Sequence, residues 1–442
     1  MFIAVFTIAG ISALFMSGAA TPRADKEAES GALSGNAKKV TDANRSGGQY
    51  VQFNAKTCTS FTGPITITTG GTYTGCWQTT DGATPAIRIN TKEPVTIANS
   101  TIKGNYMLIN DAAPGVNLTV TNTHFIGVEP TSPVTSRRAI RLGRGASNLA
   151  ASNNFFENTA GIKITGWTTN ASANPNTIKI LQNKAKNITN KNIAEGDASS
   201  DDHLVQFVQL GQMRLSNVEI AWNEVINTFG RSRVEDNINL YKTGGTGNAV
   251  SSRIRVHNNF IWGAFPETVG NNYRGGGIIA GDSSQNLDVG WVDIYDNQVV
   301  GTINYGVSIV CGHDSRAYRN RVIGSGLNGP NGQLMAAANV GLSGNNARAW
   351  LGRCDPDNYR NNVFQDNYVG WMNGNGKRND MTFRCNDYNA ANPPELILCA
   401  NNINTTQVQP TSAAITYAME QAEYTSWQKK LSDNNVSIGL KQ

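Results

Sequence analysis

Across positions 233–245 the chain reads RVEDNINLYKTGG, with two carboxylates, Glu235 and Asp236, before a strand-like run and an amine, Lys242, directly after it. Within NINLY the apolar Ile238 and Leu240 alternate with Asn237, Asn239 and Tyr241, a period of two that sends one set inward and the other outward. A strand that offers amides and a phenol between acids and an amine has the groups for proton transfer and for holding a polar ligand. More ionisable residues stand in short runs: Asp201, Asp202 and His203 in SSDDHLV, Arg274 and Asp282 in NNYRGGGIIAGD, and His313, Asp314 and Arg316 in VCGHDSRAYRN. His313 titrates near neutrality and suits an acid or a base. Arg274 offers a planar fork that matches a carboxylate, and Asp282 follows glycines that let a ligand approach the backbone. Glu235, Asp236 and Asp282 together would suit Ca²⁺, which takes oxygen ligands. Each group also has a plain structural role: acids at turns cap backbone amides, a lysine at a strand end is solvated, and His313 can bond within its own turn.

The elements that must position these groups repeat. IANSTIKG, VTNTHFIG, ASNNFFEN, ILQNKAKN, IAWNEVIN, VHNNFIWG, IYDNQVVG, AYRNRVIG and FQDNYVGW share one pattern, built on Asn99, Asn122, Asn153, Asn183, Asn223, Asn258, Asn297, Asn320 and Asn367. A second series alternates with it: AIRIN, AIRLG, GIKIT, FVQLG, NINLY, GIIAG, GVSIV and NVGLS. Asn99 to Asn122 spans 23 residues, Asn297 to Asn320 again 23, and Ile140 to Ile162 spans 22, about one coil of a parallel β-helix with three short strands. Stacked coils would set the asparagines above one another as a ladder of side-chain amides. The expected fold is all-β, a single-stranded right-handed parallel β-helix solenoid with an asparagine ladder and a C-terminal helix. A β-sandwich or propeller is the alternative.

Composition agrees, because 45 glycines and only 16% charged residues fit turns and strands better than helices. Residues 1–20 read as a secretory signal cleaved near Ala20; an uncleaved membrane anchor is the alternative. Residues 21–48 read as a disordered linker, 49–410 as the β-helix domain, and 411–442 as a helical cap or tail that closes the stack. Secretion or a periplasmic location permits disulfides among the six cysteines. Proximity favours Cys58 with Cys76 and Cys385 with Cys399, leaving Cys311 and Cys354 as a pair or as two buried thiols. A net charge of +5 without arginine-aromatic clusters argues against nucleic acid as a partner. The expected protein is a monomer with no stable membrane association once the signal is removed.

In the second series the residue between each apolar pair faces out, giving the column Arg88, Arg141, Lys163, Gln209, Asn239, Ile279, Ser308 and Gly341. Its basic start suits an anionic chain, with Asn239 and Tyr241 as further contacts. Insertions crowd between Asn183 and Asn297, at intervals of 40, 35 and 39 residues, and in solenoids such insertions emerge on one face. Strands about 4.8 Å apart would let Glu235, Asp236, Lys242, Arg274, Asp282, His313 and Asp314 share one cleft.

Over roughly residues 60–370 this repeat resembles the right-handed parallel β-helix proteins that act on polysaccharides, of the pectin-lyase-like fold: pectate- and alginate-type lyases, polygalacturonase-type hydrolases, and epimerases. SSDDH and CGHD are similar to the paired-acid and Gly-His elements of polygalacturonases. The resemblance implies a secreted enzyme with a polysaccharide substrate. The reading adopted is a lyase that cleaves a uronate-containing chain by β-elimination. Arg274 or Ca²⁺ would neutralise the carboxylate, and Lys242 or His313 would act as base. The alternatives are a glycoside hydrolase using Asp236 with Asp282, and a non-catalytic surface or adhesin solenoid.

Overall fold

The computed structural model describes residues 37–41, 49–53, 58–130, 137–167, 178–190, 205–265, 275–281, 289–345, 359–384 and 400–441. The signal segment, Asp201, Asp202, His203, Arg274, Asp282, Cys354, Cys385 and Cys399 lie outside these residues. The chain divides into two compact units. In the smaller, Ala37–Thr41 pairs antiparallel with Gln49–Phe53. Five residues of the segment read as linker are therefore a strand.

The larger unit, residues 55–441, is a parallel β-helix. Each coil contributes one strand to each of three sheets, and each sheet has eleven strands, paired in parallel. The first sheet runs from Gly71–Tyr73 to Ala400–Ile403, the second from Cys76–Thr79 to Thr406–Gln407, and the third from Ile65–Ile67 to Met381–Arg384. Register stacks like on like: Ile87, Ile109, Ile140, Ile162, Val208, Ile238, Ile278, Val307 and Leu342 follow one another up the third sheet. All nine are buried. Each such side chain contributes about 1.5–3 kcal/mol on leaving water, so the stack rather than the single coil supplies the core.

The asparagine ladder is present, in a register partly different from the expected one. It runs Asn154, Asn183, Asn223, Asn259, Asn297, Asn320, Asn367, with each Nδ2 donating to the next Oδ1 at 2.9–3.0 Å. Asn153 and Asn258 stand one position earlier, where the turn needs positive φ (55° and 51°); Asn99 (49°) and Asn122 (48°) occupy that same turn position. Asparagine tolerates this conformation better than most residues. Asn122 does donate to Asn99, at 2.7 Å, but on the exposed side of the turn.

The C-terminal helix, α1 (Tyr417–Asp433), does not close the end of the stack. It lies along the outer face of the second sheet, where Trp427 and Leu431 pack with Phe260 and Val300. Glu423 pairs with Arg321 at 2.6 Å, and Trp427 Nε1 donates to Glu224 at 2.8 Å. The outward residues of that sheet here are two columns, Ile226, Trp262, Val300 and Ile323 beside Glu224, Phe260, Gln298 and Arg321, so the face offers the helix both an apolar seat and partners for its polar groups. Cys58 and Cys76 form a disulfide, as expected, and Cys311 is also disulfide-bonded.

Candidate functional site

First and second sheets are joined by two-residue turns such as Asn223 after Trp222, whereas every long connection borders the third sheet. That sheet is the floor on which the chemistry-bearing residues fall. Its outward column is Arg88, Asn110, Arg141, Lys163, Gln209, Asn239, Ile279, Ser308, Ser343. Asn110 joins the expected column. Ser343 replaces Gly341, because Leu342 rather than Val340 pairs with Val307. The column changes character along its length. Arg88 is exposed and Arg141 half-buried, but Lys163 (4%), Gln209 (8%), Asn239 (1%) and Ser308 (1%) are almost inaccessible although they point away from the core.

Beside this buried stretch stands Asp236, 5% exposed. It begins the strand Asp236–Tyr241 rather than preceding it, and it shares a face with Asn239. Its Oδ2 accepts the Asn239 amide at 2.8 Å, and its Oδ1 accepts the hydroxyl of Tyr305 in a short hydrogen bond. Tyr305 comes from two coils further on and reaches back over Gly276. A Cβ on Gly276 would stand 2.4 Å from Asp236 Oδ1 and 2.5 Å from the Tyr305 ring. Only glycine lets the two meet. Next to them, Gln206 Nε2 donates to Glu235 Oε2 at 2.6 Å, and Arg138, fully buried, donates to Gln206 Oε1 at 3.2 Å.

Asp236, Glu235, Asn239 and Lys163 thus gather at one border and the middle of the floor. Tyr241 and Lys242 fall at the opposite border, where Lys242 has φ 48° and its Nζ lies 5.5 Å from the Tyr241 ring centre. Six residue steps along the strand separate Asp236 from Lys242, roughly 20 Å at ~3.3 Å each. His313 lies beyond that same far border, in the turn to the first sheet. Its Nδ1 bonds Asp314 Oδ2 at 2.6 Å, its ring meets Trp291 edge-on at 5.5 Å, and it is 3% exposed. A buried cation, Arg253, ties this corner by bonding Asp293 at 2.8 Å and the Asp314 carbonyl. The floor therefore has a carboxylate-phenol border and a lysine-histidine border.

Among the described residues no group of three His, Cys, Asp or Glu side chains is placed to hold a metal ion. Of the expected Ca²⁺ ligands, Asp236 already spends both oxygens on Tyr305 and Asn239. Sequence reasoning missed Tyr305, Arg138, Gln206 and Gly276. Arg138 in RAIRL, Asp236 in DNINLY and Tyr305 in YGVSIV hold the same place, two residues before an inward aliphatic, and this phase was the available signal.

Outside the site, the outer face of the first sheet is a ladder of opposite charges. Lys179 and Arg255 each meet Glu219 at 3.0 Å, and Arg316 meets Asp293 at 2.6 Å. The His257 hydrogen bond, followed by the Lys179 bond, holds the Glu219 carboxyl down to about 2 against the opposing effect of burial. These charges satisfy one another and present no unpaired group to a ligand.

Comparison of the chain with models of protein families, with curated proteins and with solved structures finds no match to any of them. What fold and site define together is a class: a parallel β-helix whose third sheet carries a buried polar constellation on its outward side.

Proposed function

We propose that this chain is a carbohydrate-active β-helix of the pectin-lyase-like type, secreted or periplasmic, that cleaves a uronate-containing polysaccharide by β-elimination along the third sheet. One observation carries the reading: every long connection has one end at that sheet, and its outward column grades from the cations Arg88, Arg141 and Lys163 to the Asp236–Tyr305 pair. Stacked coils offer a binding position about every 4.8 Å, a repeat suited to a polymer. Elimination needs a cation to stabilise charge as the C–H beside the carboxylate is lost, a base for that proton, and an acid for the leaving oxygen. Lys163 and Arg141 are cations in the column of Asn239, and Arg138 is one in the column of Asp236 itself. Tyr305, oriented by Asp236, is the proton-transfer group, taking the C–H proton as its own hydroxyl proton passes to Asp236 and then supplying one to the leaving oxygen; Lys242 and His313, at the far border roughly 20 Å away, do not reach the same sugar. The Cys58–Cys76 disulfide fits an oxidising compartment.

The burial of Lys163, Asn239 and Asp236 favours a second reading, in which these groups fasten the insertions to a non-catalytic scaffold. Binding separates the two. Arg88 and Arg141 are accessible, so a polyuronate should bind more weakly as salt rises toward physiological strength, where the screening length is about 8 Å. Arg88→Ala with Arg141→Ala should flatten that dependence. Equal binding of a neutral glucan, or indifference to salt, would make the stripe ordinary surface.

A further inference from the structure

Helix α1 carries a carboxyl into an apolar seat. Glu420, in its first turn, is fully buried. Its Oε1 accepts the backbone N–H of Ser325 at 2.6 Å, the Ser325 hydroxyl and the Trp262 indole also face the carboxyl, and Oε2 meets no donor in hydrogen-bond geometry. Space for Oε2 exists because residue 301 is glycine, whose Cβ would stand 2.9 Å away. Among the described residues no cation pairs with Glu420. The neighbouring charges are committed elsewhere: Glu423 to Arg321 at 2.6 Å, Arg378 to Asp380 at 2.6 Å, and Lys430 to the Asp296 carbonyl at 2.6 Å. Glu224 takes the Trp427 and Gln428 side chains and pairs with Lys184 at 3.4 Å, and the phenols on this side are Tyr368, Tyr417 and Tyr424, of which Tyr417 and Tyr424 are pushed up chiefly by burial. Burial raises Glu420 from 4.5 to about 7, with the Ser325 amide, its hydroxyl and the Trp262 indole pulling the other way.

We infer that α1 is a pH-responsive strap, docked across the second sheet by protonated Glu420 and loosened when that carboxyl ionises. The sign follows from linkage. A carboxyl whose pKa is higher docked than free favours docking most below its free value, loses that contribution as pH rises to the docked value, and changes nothing further above it. The window is therefore about 4.5 to about 7. Lys430, pushed down to about 8 by burial, acts only above it. The strap reaches the candidate site through one connection. Ser325 opens the insertion 325–339, and the far end of that insertion is fastened next to Tyr305: Asn339 N–H donates to the Ile303 carbonyl at 3.0 Å and its side chain to Asn304 at 3.2 Å. The inference stands independently of the reaction proposed above.

Amide hydrogen exchange of α1 in the full chain tests it, with rates corrected for intrinsic pH dependence. Between about pH 5 and about pH 7.5 the opening equilibrium should rise on the order of 50-fold, and Glu420→Gln should make it flat. Equal protection at both pH values in the wild type, or a Gln variant that keeps the rise, would overturn the inference. The infrared band of a protonated carboxyl reads the same group without substitution should the variant fail to fold. It should be present at the lower pH and lost at the higher, and a band absent at both would contradict the account.

Discussion

Replacing Asn259 with Ala should destabilise the solenoid by about 3 to 5 kcal/mol, whereas Asn258→Gly should leave stability within about 0.5 kcal/mol. Asn259 donates to Asn297 Oδ1 and to the Ile220 carbonyl, both at 2.9 Å, and accepts the backbone and side-chain N–H groups of Asn223 at 3.1 and 2.9 Å. Its loss removes four buried hydrogen bonds at once, although Asn297 Oδ1 keeps the Asn259 backbone N–H and Asn223 Nδ2 keeps the Ile180 carbonyl. Asn258 supplies a positive-φ residue on the half-buried side of the turn and one bond from its Nδ2 to the adjacent His257 Nδ1 at 3.0 Å, so glycine keeps the backbone and gives up only that local bond. Denaturant unfolding of the two variants checks the ladder register. Similar losses from both would place the buried ladder elsewhere.

The second large effect concerns the pair that meets over Gly276. Tyr305→Phe removes one hydroxyl and should lower turnover of a polyuronate by about 10² or more, the range typical of a proton-transfer group. Asp236→Asn keeps the shape but turns an acceptor toward a donor problem, since Asp236 receives hydrogen bonds from both Tyr305 and Asn239. It should cost activity similarly and about 1 to 3 kcal/mol of stability, because the group is buried. Gly276→Ala acts without touching either residue, by driving a methyl between them. Thermal unfolding beside steady-state kinetics distinguishes the roles. Activity lost in a Phe variant that still folds supports chemistry; three variants that keep full turnover would remove the pair from the mechanism.

Much of the fold was legible because a solenoid writes each coil into the sequence again. Isolated asparagines such as Asn223 in AWNE and Asn297 in YDNQ fixed the ladder phase correctly. In SNNFF and HNNFI two asparagines adjoin, and nothing in the pattern says which one turns inward, so Asn153 and Asn258 displaced Asn154 and Asn259. NVGLSGN offers two phases of alternation for the same reason, and only pairing with Val307 chooses Leu342. At the site, strict alternation would have put Asp236 on the face of Ile238. The backbone instead turns Asn237 into the corner between second and third sheets, where it bonds the Gly263 and Gly276 carbonyls at 3.1 Å, and Asp236 joins Asn239. Tyr305 looked like an ordinary strand aromatic. Its role depends on a contact 69 residues away, which a local pattern does not encode. The helix was visible from its spacing, but its seat depended on which sheet face offers apolar residues on the outside.

The most direct test of the central claim is to incubate the purified chain with polyuronates and with neutral polysaccharides and to follow the ultraviolet absorbance of an unsaturated uronate. The account predicts that absorbance appears with a polyuronate, grows with enzyme concentration, and is lost in Tyr305→Phe. Saturated reducing ends without absorbance would replace elimination by hydrolysis, and intact polymer from every substrate, with no binding, would contradict the claim that the third sheet acts on a polysaccharide.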